Sequence, residues 1–302
     1  MSFFVAAPAH AAPNYHLLGW LNTFVPGSGQ LLLGNSLRGS AEALGEVGTF
    51  AWGYSLSKRS PLSLDGVPEE LPRFRFGKRS IQADISRGVY ADILQEVGIK
   101  AHMVNVFDAY RMGALNEKGE LPERMESKSI NALFMEPFNK DNLSNPWVYG
   151  SLAAVFAITV LDYVTIINGG VPPAGRIGAY SNNLYAFNYG FWQPFGSGAP
   201  EEMFFRGFVQ NELYDAVPSP YFAIPVTASL FALAHEPGAG RYSAAVAGTY
   251  LGFLAHHHNG RLGPGITVHF WSVVLLGIET VLLNQQAQRT TPPAALSYQF
   301  NF

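Results

Sequence analysis

The stretch 147–168 holds 22 residues with a single charge, Asp162, and no position after Lys140 is a lysine. As an α-helix it rises about 33 Å, one bilayer's hydrocarbon thickness. Backbone polar groups in lipid must be satisfied within the spanning structure, so only helices and closed barrels cross. The alternating Tyr298, Phe300 and Phe302 at the C-terminus are too few for a barrel strand. The sequence predicts an all-α, polytopic helical membrane protein.

Charge is distributed to match. Of the 41 charged residues, 26 fall in 58–146, three in 1–57 and 12 in 147–302. At 14% of the chain they are well below the roughly one quarter usual in soluble domains. Four regions follow: an N-terminal membrane-associated hairpin over 1–57, a polar helical insert over 58–146, a helical membrane core over 147–286 and a polar tail over 287–302. In the hairpin, 15–35 and 40–57 are apolar segments separated by Pro26-Gly27-Ser28-Gly29-Gln30 and Gly34-Asn35. Each is short for a span, and Glu42 and Glu46 lie in the second, so a shallow or re-entrant hairpin is expected. Residues 1–12 carry the small-residue pattern of a signal-peptide remnant without its basic start.

The insert opens on Pro61, Pro68 and Pro72 and becomes helical near Ser80, where Ile81, Ile85, Val89, Ile93 and Val97 recur at helical spacing. It contains 13 basic and 13 acidic residues and no recognisable site motif. The core divides into about six helices, 147–168, 183–196, 200–215, 218–236, 242–257 and 263–284, each bounded by Pro, Gly or Asn. No basic cluster interleaved with aromatics offers a nucleic-acid footprint. The absence of cysteine excludes disulfides and thiol chemistry.

Three places in the core put ionisable groups where lipid makes them costly. Glu201 and Glu202 follow Pro200, and Arg206 stands four residues after Glu202. Helix-start chemistry and an i,i+4 ion pair would account for these alone. His235 closes the apolar run Phe231-Ala232-Leu233-Ala234, where a lone interfacial histidine is ordinary. His269 lies inside Ile266–Leu275 with no turn to offer it water. If 200–215 and 218–236 are antiparallel neighbours, Glu201 or Glu202 approaches His235, and a carboxylate beside an imidazole in a low dielectric can activate water. A simple up-and-down bundle nevertheless leaves His235 and His269 on the order of 15 Å apart in depth, so tilted or re-entrant segments are needed.

Glu201-Glu202-x-x-x-Arg206, Phe231-x-x-x-His235 and an intramembrane His269, in that order, resemble the motifs of the CPBP family, the CAAX prenyl proteases and bacteriocin-processing (Abi) enzymes. The resemblance spans roughly 147–284. It implies an intramembrane, metal-independent glutamyl-type endopeptidase without cofactor, in which Glu201 and His235 activate the attacking water and His269 helps to stabilise the oxyanion. Glu202, Arg206 and Phe231 would support them. The family's third motif is His-x-x-x-Asn, and Val273 stands at its last position with no hydrogen to donate. The neighbouring Ser272 is the candidate substitute donor.

The implied partners are the lipid bilayer and a membrane-anchored or lipidated peptide, with no nucleic acid. The implied place is the cytoplasmic membrane, crossed several times. Two other readings stay open at this stage. A zinc-dependent hydrolase could use a Glu and two His residues, although His235-Glu236 continues Pro237-Gly238-Ala239 rather than into a second histidine. A non-catalytic scaffold or immunity-type binding protein could keep the same groups as buried polar contacts. His256-His257-His258 is expected to be an interface loop, because consecutive residues diverge on a helix.

Overall fold

The computed structural model describes residues 14–58, 78–169, 187–235 and 237–290. Residues 1–12, with their signal-like pattern, the proline-rich opening of the insert and the end of the tail lie outside them. The regular structure among the described residues is all helical, without strands, as the charge pattern requires.

The N-terminal region forms α1 (Tyr15–Phe24), α2 (Ser28–Leu32) and α3 (Ser36–Ser57). Asn14 caps α1, its side chain accepting from Leu17 N. Gly27, at φ 75°, turns the chain between α1 and α2, a conformation that disfavours any residue with a Cβ. The insert supplies α4 (Lys78–Lys118), α5 (Ile130–Met135), a 3₁₀ turn (Glu136–Phe138) and α6 (Lys140–Leu143). The acids that made α3 a poor span face α4. Glu46 bonds His102 Nδ1 at 2.7 Å and Asn105 Nδ2 at 2.5 Å, and Arg38 ties Glu42 to Asp108.

α7 (Pro146–Asn168) begins with Asn145 accepting from Trp147 N, followed by proline at the first helical position. Its most apolar stretch is 0% buried, whereas the corresponding stretch of α11 (Gly263–Thr290) is 39% buried. α7 is therefore the peripheral helix, its Phe156, Ile158 and Leu161 facing outward as lipid allows, and α11 runs through the interior.

The expected break at Pro200 is absent. Asn188–Trp192, Gln193–Glu202, Met203–Val209 and Gln210–Ala216 follow one another as one continuous helix, α8, so the described parts of the predicted 183–196 and 200–215 pair form a single element. Pro200 sits inside it, and the hydrogen-bond ladder widens to π spacing over Met203–Val209. A proline removes a ladder donor and crowds the preceding turn, and a π segment is one way a membrane helix absorbs that without ending. α9 (Pro220–Leu233) and α10 (Ala239–His257) complete the core. α11 also outruns its sequence-based end, continuing through Thr290 into the expected polar tail.

α4 and α8 meet through Phe107, Ala199 and Met203, joined by Leu133, Leu262 and Ile266 in one buried cluster. Gly207 permits this contact, because a Cβ there would meet the Phe107 ring and Leu262. Gly207→Val is expected to cost about 1–3 kcal/mol by overpacking. Gly150→Val on α7, where a Cβ meets nothing within 4 Å, should be neutral. Thermal unfolding of both variants in detergent checks this, and equal melting temperatures would refute it.

Candidate active site

The insert anchors the start of α11, and this sets the depth of His269. Glu126 accepts from Leu262 N at 2.9 Å, Thr267 Oγ1 donates within its own helix to Gly263 O at 2.8 Å and lies 2.9 Å from Glu136 O, and Trp271 Nε1 donates to Pro137 O at 2.8 Å. Gly263 lies against the Glu136 carboxylate and the Asn142 amide, so close that a side chain would displace them.

His235 and His269 flank one ring. Phe231 lies 4.5 Å from the His235 ring and 5.9 Å from the His269 ring, so the depth mismatch expected of a simple bundle does not arise. The stagger of α9 on α10 is the reason. Ala228 and Phe231, near the end of α9, pack on Gly248, midway along α10. From Gly248 the chain descends nine residues to His257, then climbs only six from Gly263 to His269. At 1.5 Å per residue these runs nearly cancel.

Glu201, Glu202, Arg206 and His269 form a buried polar centre. Arg206 Nη1 donates to Glu202 Oε1 at 2.9 Å and Nη2 to Gly248 O at 3.0 Å, with the guanidinium 4.5 Å above the Phe231 ring. The same Glu202 oxygen bonds His269 Nδ1 at 2.9 Å. This fixes the ring with Nε2 3.8 Å from Glu201 Oε2. That oxygen is buried and has no hydrogen-bond partner among the described residues. The other oxygen, Oε1, accepts from Lys100 Nζ. His235 Nδ1 stands 2.7 Å from Phe231 O. A carbonyl only accepts, so Nδ1 carries the proton and a neutral His235 keeps its lone pair on Nε2. Within the Phe-x-x-x-His motif, then, the phenylalanine carbonyl sets the tautomer and its ring separates the two imidazoles.

Six of the seven residues singled out by sequence thus converge: Glu201, Glu202, Arg206, Phe231, His235 and His269. Ser272 is half-buried on α11 and makes no hydrogen bond to any of them among the described residues. Glu202 does more than pair with Arg206 along the helix, because it orients His269. The π segment that carries Arg206 directly follows the two glutamates, a position typical of functional π segments.

Lys100 was invisible as a motif, and the insert that seemed to hold no site supplies it. Its signal was present all the same. Ile93, Val97, Val104 and Phe107 trace an apolar stripe along α4, and Lys100 occupies the step between Val97 and Val104.

Other ionisable clusters are occupied elsewhere. His256 bonds Arg124 at 3.1 Å, His257 stacks on Phe253 and His258 meets Asn145 Nδ2 at 3.3 Å, so the three consecutive histidines point to separate partners. Burial, then the neighbouring Arg124 and His257, lowers the His256 pKa. Burial, then His257 and Arg261, does the same to His258. His16, Glu212 and Asp215 bring donor atoms within 4.8 Å of one another. Glu212 is already bonded there to His16 at 2.5 Å and to Trp20 at 2.8 Å. It lies 11 residues along α8 from Glu201, about 16 Å away.

Comparison with known proteins bears on this centre. Residues 183–275 match the family model described as type II CAAX prenyl endopeptidase, Rce1-like. The match contains Glu201, Glu202, Arg206, Phe231, His235, His269 and Ser272, and it excludes Lys100. No curated protein and no solved structure matches the chain. The family is one of integral membrane peptidases acting on prenylated, membrane-anchored proteins. Over residues 183–275 the chain is similar to the type II CAAX prenyl endopeptidases of the Rce1-like type, within the CPBP group.

Proposed function

We propose that this protein is a metal-independent intramembrane endopeptidase that cleaves a prenylated, membrane-anchored substrate, with Glu201 and His235 activating the water. The observation that carries this reading is the buried Glu201 carboxylate, whose unpartnered Oε2 faces His269 Nε2 at 3.8 Å within the matched segment.

In the reaction, Glu201 Oε2 takes a proton from water as the water oxygen bonds to the scissile carbonyl carbon. His235 Nε2, the free lone pair, orients that water. The carbonyl π electrons move to oxygen, and His269, whose Nδ1–H is held by Glu202, donates an Nε2–H to the resulting oxyanion in its protonated, imidazolium form. Collapse of this intermediate breaks the C–N bond, and the proton held by Glu201 passes to the departing amine. A donor at the oxyanion contributes about a hundredfold or more in rate. Val273 supplies none where the family carries asparagine, so Val273→Asn is expected to raise kcat, and Ser272→Ala tests whether the serine substitutes. An unchanged kcat in both variants would remove this helix position from the oxyanion site.

Lys100 favours the metal-independent form over a zinc hydrolase, since a divalent cation on Glu201 would lie beside an ammonium. We read the chain as multi-pass in the cytoplasmic membrane, with 15–57 a shallow hairpin leaning on the insert and the active site facing the cytoplasm. The basic residues that follow Ser57 support this orientation.

The test is cleavage of matched prenylated and unmodified peptides by the detergent-purified protein, read by mass spectrometry with and without chelator. Prenyl-dependent cleavage that survives the chelator is expected. Loss of cleavage with the chelator would instead support a metalloenzyme, and preferential cleavage of unmodified leader peptides would support bacteriocin-type processing.

A further inference from the structure

We infer that Lys100 is a positioning residue of this active site, neutralising Glu201 through one oxygen so that the other stays free to act on water. The inference rests on the peptidase reading of Glu201.

Four elements bring charged or titratable groups toward Glu201. Lys100 comes from α4, His269 from α11, and His235 from just beyond α9, while Glu202 and Arg206 share α8 with it. Arg206 is bonded to Glu202, not to Glu201. The two imidazoles are neutral unless protonated, so the permanent counter-charge left for Glu201 is the Lys100 ammonium. The ion pair is enclosed, with side chains 18% and 7% exposed, where a carboxylate without a partner would take up a proton and cease to be a base.

The residue type fits this task better than arginine would. A guanidinium tends to clamp both carboxylate oxygens in a fork, whereas an ammonium is a point charge. Lys100 holds Oε1, and Oε2 has no hydrogen-bond partner among the described residues and faces His269 Nε2 at 3.8 Å. One turn earlier on α4, Glu96 receives hydrogen bonds from Trp192 and Gln193 of α8, which holds this face of α4 against the helix that carries Glu201. A lysine on an otherwise apolar stripe is thereby given both a partner and a purpose.

The experiment measures kcat/KM against pH on a prenylated peptide for wild type, Lys100→Met and Lys100→Arg. Lys100→Met is expected to move the acid limb upward by about one to three pH units, the usual effect of an adjacent opposite charge, while activity recovers at high pH. Lys100→Arg should return the limb toward its wild-type position. A purely structural lysine would instead lower the whole profile without moving the limb. That outcome overturns the inference, as does a Lys100→Met variant more active at every pH, which would mean that the ion pair blocks the base.

Infrared titration of the Glu201 carboxyl, identified by its loss in Glu201→Gln, gives a readout without substrate. Protonation at higher pH in Lys100→Met supports the inference, and an unmoved carboxyl overturns it. Should wild type cleave nothing while this band moves, the peptidase reading falls and the catalytic role of Lys100 with it, but the ion pair stands. Should wild type cleave while neither readout responds to Lys100→Met, only the inference falls.

Discussion

Glu201→Gln is expected to abolish peptide-bond cleavage while leaving the fold intact. A general base contributes about 10²–10⁴ in rate, and the amide has no basic oxygen to replace it. The change is isosteric, and the glutamine carbonyl can still accept from Lys100, so the α4–α8 contact survives. The readouts are turnover of the prenylated peptide and the melting temperature in detergent. Loss of activity at an unchanged melting temperature is the expected pair. A variant that retains more than about a tenth of wild-type kcat would remove Glu201 from the role of base. Glu202→Gln offers a comparison: Glu202 holds Arg206 and His269, so its loss should lower stability and activity together.

Arg206→Met is expected to produce the largest loss of stability. The guanidinium is fully enclosed, its side chain 0% exposed, and it bonds both Glu202 and the Gly248 carbonyl. Methionine fills much of the volume but leaves the Glu202 carboxylate buried with only His269 beside it. Removing one partner of a buried ion pair typically costs about 3–5 kcal/mol, chiefly because the remaining charge is stranded. Arg206→Met combined with Glu202→Gln should therefore be more stable than Arg206→Met alone, although the second substitution removes another native bond. Thermal unfolding of the single and double variants measures this coupling. Additive losses would mean that Arg206 stabilises through its packing on Phe231 rather than through Glu202.

The same variant should also impair activity, because Glu202 is the group that turns His269 toward Glu201. The two largest predicted effects thus meet on one chain of contacts, Gly248–Arg206–Glu202–His269–Glu201. Stability is expected to respond most at its Arg206 end and chemistry at its Glu201 end.

Composition and local pattern determined the parts of this protein that depend on solvent and on short range. A nearly uncharged 22-residue stretch has few uses outside lipid, and the structure gives it as the outward-facing α7. Ionisable groups in apolar helices are costly wherever they sit, so Glu201, Glu202, Arg206, His235 and His269 stood out before any contact was known. Local rules failed where tertiary contacts overrode them. Pro200 signals a helix start, but α8 continues through it as α-helix and widens its ladder only from Met203, with Gly198 packed on the Phe270 backbone. The depth of His269 depends on where α9 crosses α10 and on the insert's grip on α11, and neither is encoded in the spacing of the histidines. Lys100 lies 101 residues from its partner, so only the docking of α4 on α8 reveals what a lysine in an apolar stripe is for. Burial cost belongs to each residue and can be read along the chain. Pairing is a relation between distant residues and exists only once the helices have packed.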